Sequence, residues 1–594
     1  MCDIYYNKSK KIDLGKIAQK FISKNEEVQT SEIQYNPFHI QNLQNYNPIY
    51  SMFFEMNDTN YNAISLNHPY HFIELDTVLE ESTGKKIPKE IHIKYAPLLD
   101  PIHYLIGKYE KDRGHLTILP NLSGSRGLPK IESAYNSAYI DCFFSYLSSN
   151  LLHKYDFKNS IDFYGSYLGV QDKFKMDISD DYDYLLESDF FHSKKNVIYE
   201  IESSVELPTI SNQTLVKTGS SFSTKPKLCL GEISSENIEI DADILDDTLE
   251  TEIEAPSTGI ELIYEKEKEV ESDDSSDDNS IENHSIDEEN EEEEKNKGEE
   301  TEGEENEENE EDEWSDIDKE SSYDEPIIHA YIRDFPIQMI CLEKGEGTLD
   351  SLLESDELDE PQIASALFQV VMSLAAFQKA YNLTHNDLHT NNIVYFTTEY
   401  THLEYTFLGK KYRVPTYGRM YKIIDFGRSI YRFQDKVFSS DSFAPGGDAN
   451  GQYNCEPFFN PKKPEIKPNL SFDLCRLGCA LYDFVFDGLE EDEIRKSRKR
   501  WTEVQKTVAR WCMDDNDKNI LYKSSGEERY PNFKLYKMIG RIVHQHTPEN
   551  QMGFTLFSQY EISKNKNEKK KKTVKSVTER ISNINIDVIP QLYV

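Results

Sequence analysis

No run of eighteen apolar residues occurs in the 594-residue chain, and the opening MCDIYYNKSKKIDLGKIAQKF lacks the continuous apolar core of a secretory signal. A soluble intracellular protein with no membrane partner is therefore expected. Cysteine is scarce. Eight are scattered along the chain, and the one close pair, Cys475 and Cys479, has no second pair to complete a zinc site. Their spacing inside an apolar helical pattern reads as buried thiols on one helix face. Basic residues are in deficit, with 65 Lys and Arg against 108 Asp and Glu. That deficit is local: residues 265–325 hold 32 acids and 5 bases, and 232–254 hold ten acids and no base, which leaves about −6 of the formal −43 for everything else. The basic run KNKNEKKKKTVK at 564–575 has no interleaved aromatics, so nucleic acid is not an expected partner.

Residues 1–69 are rich in Asn, Tyr, Lys and Ile with weak periodicity, and no role is assignable to them. From YHFIEL at 70 to KEIHIKYAPLL at 89, short β-branched and aromatic runs separated by STGKK predict strands joined by a glycine turn. In IESAYNSAYIDCFFSYLSSNLLHKY, 131–155, Tyr135, Ala138, Tyr139, Phe143, Tyr146, Leu147 and Leu151 recur at helical spacing, and IDFYGSYLGV returns to strand character. Residues 255–325 are too polar and too uniformly charged to offset ordering entropy by burial, and disorder is expected there. Beyond them, FPIQMICLEKGEGTLDSLLE at 335–354 reads as strand, glycine-containing link and short helix. DEPQIASALFQVVMSLAAFQKAYN is the clearest helix, with Ile363, Leu367, Val370, Val371, Leu374 and Phe377 on one face. TTEYTHLEYTFLGKKYRVPTYG reads as an extended hairpin, and LSFDLCRLGCALYDFVF as a helix apolar nearly all round and hence buried.

One stretch is crowded with polar groups. In YNLTHNDLHTNNIVYF, 381–396, His385, Asp387, His389, Asn391 and Asn392 fall within eight residues between a helical pattern and a strand pattern. A polar turn would account for that. So would a catalytic loop. Transfer of a terminal phosphoryl group needs a carboxylate to orient the attacking hydroxyl, groups to hold magnesium and a cation on the phosphates. HNDLHTNN has the form H-x-D-L-x-x-x-N, with Asp387 as candidate proton acceptor and Asn392 as candidate metal ligand. Downstream, YKIIDFGRS sets Asp425 at the end of an apolar strand, ahead of Phe426 and Gly427. D-F-G alone is a weak signal, because strand ends often carry Asp-x-Gly turns. The order of the elements strengthens both motifs, and SFDLCRLGCALYDF adds Asp473 and Gly478 in a D-x-x-x-x-G spacing.

With these motifs in this order, 335–490 resembles the hinge and C-lobe of a protein kinase. IHIKYAPLLDPIHYL, AYIDCFFSYLSSNLL, YRVPTYGRMYKIIDFGRSI and FSSDSFAPGGDANGQYN are similar to segments of serine/threonine kinases encoded by large nucleocytoplasmic DNA viruses, mimivirus-like ones included. The resemblance covers about 70–560 apart from the acidic insert. It implies an α+β, two-lobed fold: an extension at 1–69, a β-rich N-lobe at 70–341 with a disordered insert at about 232–325, a hinge and helical C-lobe at 342–562, and a basic tail at 563–594. It implies transfer of the γ-phosphate of ATP, with Mg2+, to Ser or Thr hydroxyls of protein substrates. Asp387 would orient the hydroxyl and take its proton, Asn392 and Asp425 would hold magnesium, and Lys94 on IHIK would neutralise phosphate charge. Asp141 is the expected acidic partner of Lys94, with Glu132 as fallback. Leu342, Glu343 and Lys344 would receive adenine through backbone groups, His389 would face the γ-phosphate, and Asp473 would support the loop.

The chain departs from the kinase pattern in four places. No G-x-G-x-x-G precedes Lys94, and ESTGKK offers one glycine, so the lid over the phosphates is shortened or different. Asn386 replaces the arginine that pairs with an activation-loop phosphate, so activity without such phosphorylation is expected. His389 stands where lysine is usual and is mostly neutral at pH 7 at its ordinary pKa. No A-P-E follows D-F-G; CEPFFNPKKPEIKPN occupies that region. These changes favour, as one alternative, a scaffold without turnover. A small-molecule kinase is another, since HNDLHTNNIV also resembles the loops of choline and aminoglycoside kinases; D-F-G and the Asp473 helix favour protein substrates.

In the insert, Ser272, Ser275 and Ser276 precede acidic residues, the pattern acidophilic serine kinases use. Its charge would alternatively attract basic protein partners, with affinity falling as salt rises. Deleting 255–325 is expected to remove salt-sensitive binding to a histone-like protein in a pull-down over a salt series. Unchanged binding rejects that attraction.

Overall fold

Strand-forming runs and one long apolar helix build a mixed α and β structure. The computed structural model describes residues 4–24, 33–122, 126–203, 327–487, 494, 496–562 and 579–593. They belong to one unit formed by 1–236 and 326–594. The acidic segment with Ser272, Ser275 and Ser276, and the lysine run at 564–575, lie outside the described residues.

The N-terminal stretch supplies helix α1 (Leu14–Lys24) and strand β1 (Ile40–Gln44). Next come three short antiparallel strands, β2 (Tyr70–Glu74), β3 (Thr77–Glu80) and β4 (Lys86–Pro88). The STGKK turn joins the last two, with Gly84 at φ +67°, a left-handed conformation that suits glycine. Strand β5 (Ile91–Pro97), helix α2 (Ser137–Tyr155), β6 (Phe163–Asp177), β7 (Tyr199–Ser203) and β8 (Ile328–Glu343) follow. The main sheet runs β1-β6-β8-β5, and β7 also pairs with β8. Ser203 faces Ile328 across that last pair, so the long connection from 204 to 327 leaves and re-enters the sheet at one spot.

Helix α2 is six residues shorter at its start than the periodicity predicts, because Asn136 ends the preceding turn and caps it: its side chain accepts from Ala138 N. Thr348 caps the short helix α3 (Leu349–Glu354) in the same way. Helix α4 (Glu360–Tyr381) opens on a capping box between Asp359 and Gln362 and closes at Asn382 in the left-handed conformation. Its burial exceeds the single face read from the sequence, since Ala364 to Phe377 are all buried. Phe144 and Phe157 pack on Phe377, and Tyr405, Tyr412, Phe557 and Tyr560 surround Phe368. Length and composition alone would let this helix cross a membrane, yet 83% of its apolar window is buried inside the protein.

Beyond α4 come β9 (Ile393–Thr397), the hairpin β10 (His402–Phe407) and β11 (Lys410–Pro415), β12 (Arg419–Ile423), and the pair β13 (Ile430–Phe433) and β14 (Lys436–Ser439). Helices α5 (Phe472–Val485), α6 (Glu503–Trp511) and α7 (Lys534–Ile542) complete the second half. Gly478 of α5 is required by packing: a Cβ there would stand 2.7 Å from Trp511 Cβ.

Part of the stretch read as a basic tail belongs to the fold. Strand β15 (Ile581–Asn585) lies parallel to β10. Asp587 accepts from Leu408 N and Gly409 N at the hairpin tip, and Leu592 N donates to Ala380 O at the end of α4. Ile586 is fully buried. Ile586→Ala is expected to cost about 2–5 kcal/mol, read as a lower urea midpoint; no change in midpoint would mean that 579–593 does not dock in solution.

Candidate active site

Seven segments far apart in sequence converge on one cluster of charge. The loop after α4 is held from below by Asp473, at the start of α5 and fully buried. Its two oxygens accept from His385 N and Asn386 N, each at 2.9 Å. Burial pushes the Asp473 carboxyl up to about 6, against the pull of His385 and these two N–H groups, so it is ionised at neutral pH. Asn386 sits at φ +67°, a conformation that a short amide side chain tolerates. Its side chain donates to Thr384 O and Arg428 O and accepts from Tyr453 Oη at 2.7 Å. A neutral amide therefore joins the loop to the segment after D-F-G.

His385 has a defined tautomer. Nε2 donates to Ile424 O at 2.9 Å, and Nδ1 accepts from Asp387 N at 3.3 Å. Asn392 donates through Nδ2 to Asp387 O at 2.9 Å and to His389 Nε2 at 3.1 Å. An amide nitrogen only donates, so His389 Nε2 is an acceptor and the ring is neutral; burial likewise pulls its pKa below the ordinary value. The same two bonds leave the Asn392 carbonyl oxygen as its acceptor end.

Lys94, on β5 opposite Ile340 of β8, places Nζ 2.8 Å from Asp141 Oδ2 and 2.8 Å from Asp425 Oδ1. Asp141 reaches both sides of the cluster, because its Oδ1 accepts from Phe426 N at 2.8 Å. Phe426 is buried 4.4 Å from Phe144 of α2 and 5.3 Å from His385, which fixes D-F-G against the helix and the loop. Asp425 adopts φ +64° and its side chain stays 43% exposed. Burial pulls the Lys94 ammonium down, but Asp141 and Asp425 outweigh it and hold it above its usual range. For Asp425 burial acts upward and Lys94 prevails, bringing it to about 2. Asp141, 4% exposed, stays above its usual value. Glu132 is not part of this cluster; it accepts from Gly127 N at 3.0 Å.

Asp387 has cations on two sides. Arg476 Nε lies 4.0 Å from Oδ1, and Tyr536 Oη donates to the same oxygen at 3.1 Å. Burial raises the Asp387 carboxyl, while the charges of Arg428 and Arg476 hold it below its ordinary value. Arg428 is itself paired with Asp448. Three permanent cations, Lys94, Arg428 and Arg476, thus face four carboxylates, Asp141, Asp387, Asp425 and Asp448. The cluster is net negative and lined by oxygen donors, the environment that a hard divalent cation takes. Among the described residues no group of three His, Cys, Asp or Glu side chains forms a metal cage.

The strand end at 342–344 borders a second ionic group. Asp162 N donates to Glu343 Oε1 at 2.8 Å, and Lys422 pairs with the same carboxylate. Glu343 N donates to Asp162 O and Lys344 N to Glu90 O. Those two N–H groups are thereby occupied.

Arg476, Tyr536, Arg428 and Tyr453 were not among the residues the motifs single out. Arg476 lies three residues after Asp473 on a helix read as apolar nearly all round, so a charge there was the available signal. Tyr536 stands 149 residues from Asp387 and no spacing points to it.

A stretch of 118 residues is 36% identical to the serine/threonine-protein kinase haspin of Bos taurus. It takes in 18% of this chain and 15% of that protein's length. No protein-family model matches the chain. The likeness is a partial one, to a protein kinase.

Lys94→Met removes the counter-charge of buried Asp141 and is expected to cost about 3–5 kcal/mol near neutral pH. The folded pKa of Asp141, already above its unfolded value, then rises further. The deficit should therefore be full at about pH 8 and shrink towards about pH 5 as Asp141 takes a proton. Urea unfolding at both values checks the sign; a deficit that grows on acidification contradicts it.

Proposed function

We propose that the chain is a protein kinase that transfers the γ-phosphate of ATP to Ser or Thr hydroxyls of protein substrates. The observation that carries this reading is the Lys94 ammonium held at 2.8 Å from both Asp141 and Asp425, beside an ionised Asp387 on a loop fixed by buried Asp473. An ammonium between two carboxylates is poised to move onto phosphate oxygens. Asp387 would orient the substrate hydroxyl and accept its proton. The Asp425 carboxylate and the Asn392 carbonyl oxygen would hold Mg2+, which when bound neutralises charge on the phosphates. Leu342, Glu343 and Lys344 would border adenine, and His389, being neutral, would contribute a hydrogen bond and no charge. The partial likeness to haspin supports the class of reaction; the two-lobed kinase architecture and the closer likeness to kinases of large DNA viruses rest on the sequence segments that resemble them.

Phosphorylation of the segment after D-F-G is not required on this reading. Asp441 provides a fixed negative charge there: it accepts from Ser137 N at 3.1 Å, pairs with Lys130 at 2.8 Å and so ties the segment to the start of α2. A scaffold without turnover is the second reading, favoured by the single glycine of the β3–β4 turn. Basic proteins are the proposed substrates or partners of the acidic insert, whose serines at 272, 275 and 276 are proposed phosphorylation sites.

Transfer of labelled γ-phosphate from Mg-ATP to the chain itself and to a basic protein tests the proposal. Wild type, after phosphatase treatment, is expected to transfer, and Asp387→Ala and Asp425→Ala to fall at least about a hundredfold. ATP binding without transfer selects the scaffold. Transfer to choline or an aminoglycoside in place of protein selects a small-molecule kinase.

A further inference from the structure

The carboxylate of the 385–392 loop has a partner that no motif announces. Tyr536 of α7 is 2% exposed, with Phe533 and Phe472 packed on its ring at 5.6 and 6.1 Å. Arg476 Nε donates to its hydroxyl oxygen at 3.1 Å. A guanidinium has no acceptor, so the phenol oxygen accepts and its own hydrogen is directed at Asp387 Oδ1, 3.1 Å away. The guanidinium groups of Arg476 and Arg428 also lie over the phenol ring, 5.5 and 5.8 Å from its centre. Burial pushes the phenol pKa up, which keeps it a donor.

We propose that Tyr536 is a positioning residue for phosphoryl transfer: its hydroxyl passes the influence of Arg476 to Asp387 Oδ1, fixes the carboxylate plane and leaves Oδ2 for the incoming hydroxyl. This rests on the reading of Asp387 as the proton acceptor. In that step the substrate oxygen bonds to the γ-phosphorus as the bond to the β,γ-bridging oxygen breaks. That bonding pair leaves with ADP, and the hydroxyl proton passes to Asp387 Oδ2. A carboxylate fixed through one oxygen presents the other in one orientation, which a carboxylate turning about its Cβ–Cγ bond does not.

The groups facing Asp387 are Arg476 from α5, Tyr536 from α7, Arg428 with Asp448 from the segment after D-F-G, and His385 and His389 from its own loop. Tyr536→Phe keeps the packing and removes the one donor that fixes Asp387 Oδ1. kcat is expected to fall about tenfold while KM for ATP stays within about twofold. A fluorinated tyrosine introduced at position 536 keeps both the packing and the donor, and should hold kcat within about twofold of wild type.

A kcat for Tyr536→Phe within about twofold of wild type, or a loss that appears in KM for ATP in place of kcat, overturns the proposal, and so does a fluorinated variant that loses kcat as Tyr536→Phe does. Wild type that binds ATP and transfers no phosphate overturns the transfer reading instead, and with it the positioning role, while the hydrogen bond stands.

Discussion

One buried carboxylate organises the centre of this protein. Asp473 enters the core because it begins a helix that is apolar on nearly every side, and its charge is tolerated there because two backbone N–H groups of one turn point at it. Hydrogen bonds to a charged group contribute about 1.5–3 kcal/mol each, enough to hold the Asn386 backbone in its left-handed conformation. From that kink the rest follows in order. His385 turns its ring to the carbonyl of Ile424, Asn386 reaches Arg428, and Asp387 emerges between two guanidinium groups. The loop is thus defined by what lies beneath it, and its exposed face is left to chemistry.

Much of this was legible in the sequence where a short-range rule applied. The α4 pattern, the hairpin at 402–415 and the strand before Asp425 follow periodicity and turn chemistry over a few residues. Asp425 was chosen by its motif, and Lys94 and Asp141 by the resemblance to kinases; the fold brings the three together. What escaped was governed by distant contacts. Among the N-terminal residues, Ile40–Gln44 adds an edge strand to a sheet made elsewhere, a placement that no local pattern announces. The C-terminal strand was hidden behind a lysine run, and its five residues gain meaning only beside β10. Tyr536 carries no local signal, since a tyrosine in an amphipathic helix reads as core until its hydroxyl is seen to meet a carboxylate.

The charges of the site share their partners. Lys94 divides itself between two carboxylates, Asp141 divides itself between an ammonium and a backbone N–H, and Arg428 answers Asp448 as well as Asp387. Such sharing makes the cluster responsive: adding a multivalent anion and a dication redistributes partners without leaving any buried group alone. A fully paired set would resist that exchange, because each break would strand a charge in low dielectric.

The bracket formed by Ser203 and Ile328 has a consequence for how the chain can vary. Both ends of the intervening stretch are pinned as neighbours in the same ladder, and the entropy of closing a chain between fixed neighbours grows only with the logarithm of its length. Doubling or halving the stretch would change that term by only about 0.6 kcal/mol. A change in the number of residues between Ser203 and Ile328 therefore leaves their pairing, and with it the registry of the two strands, in place.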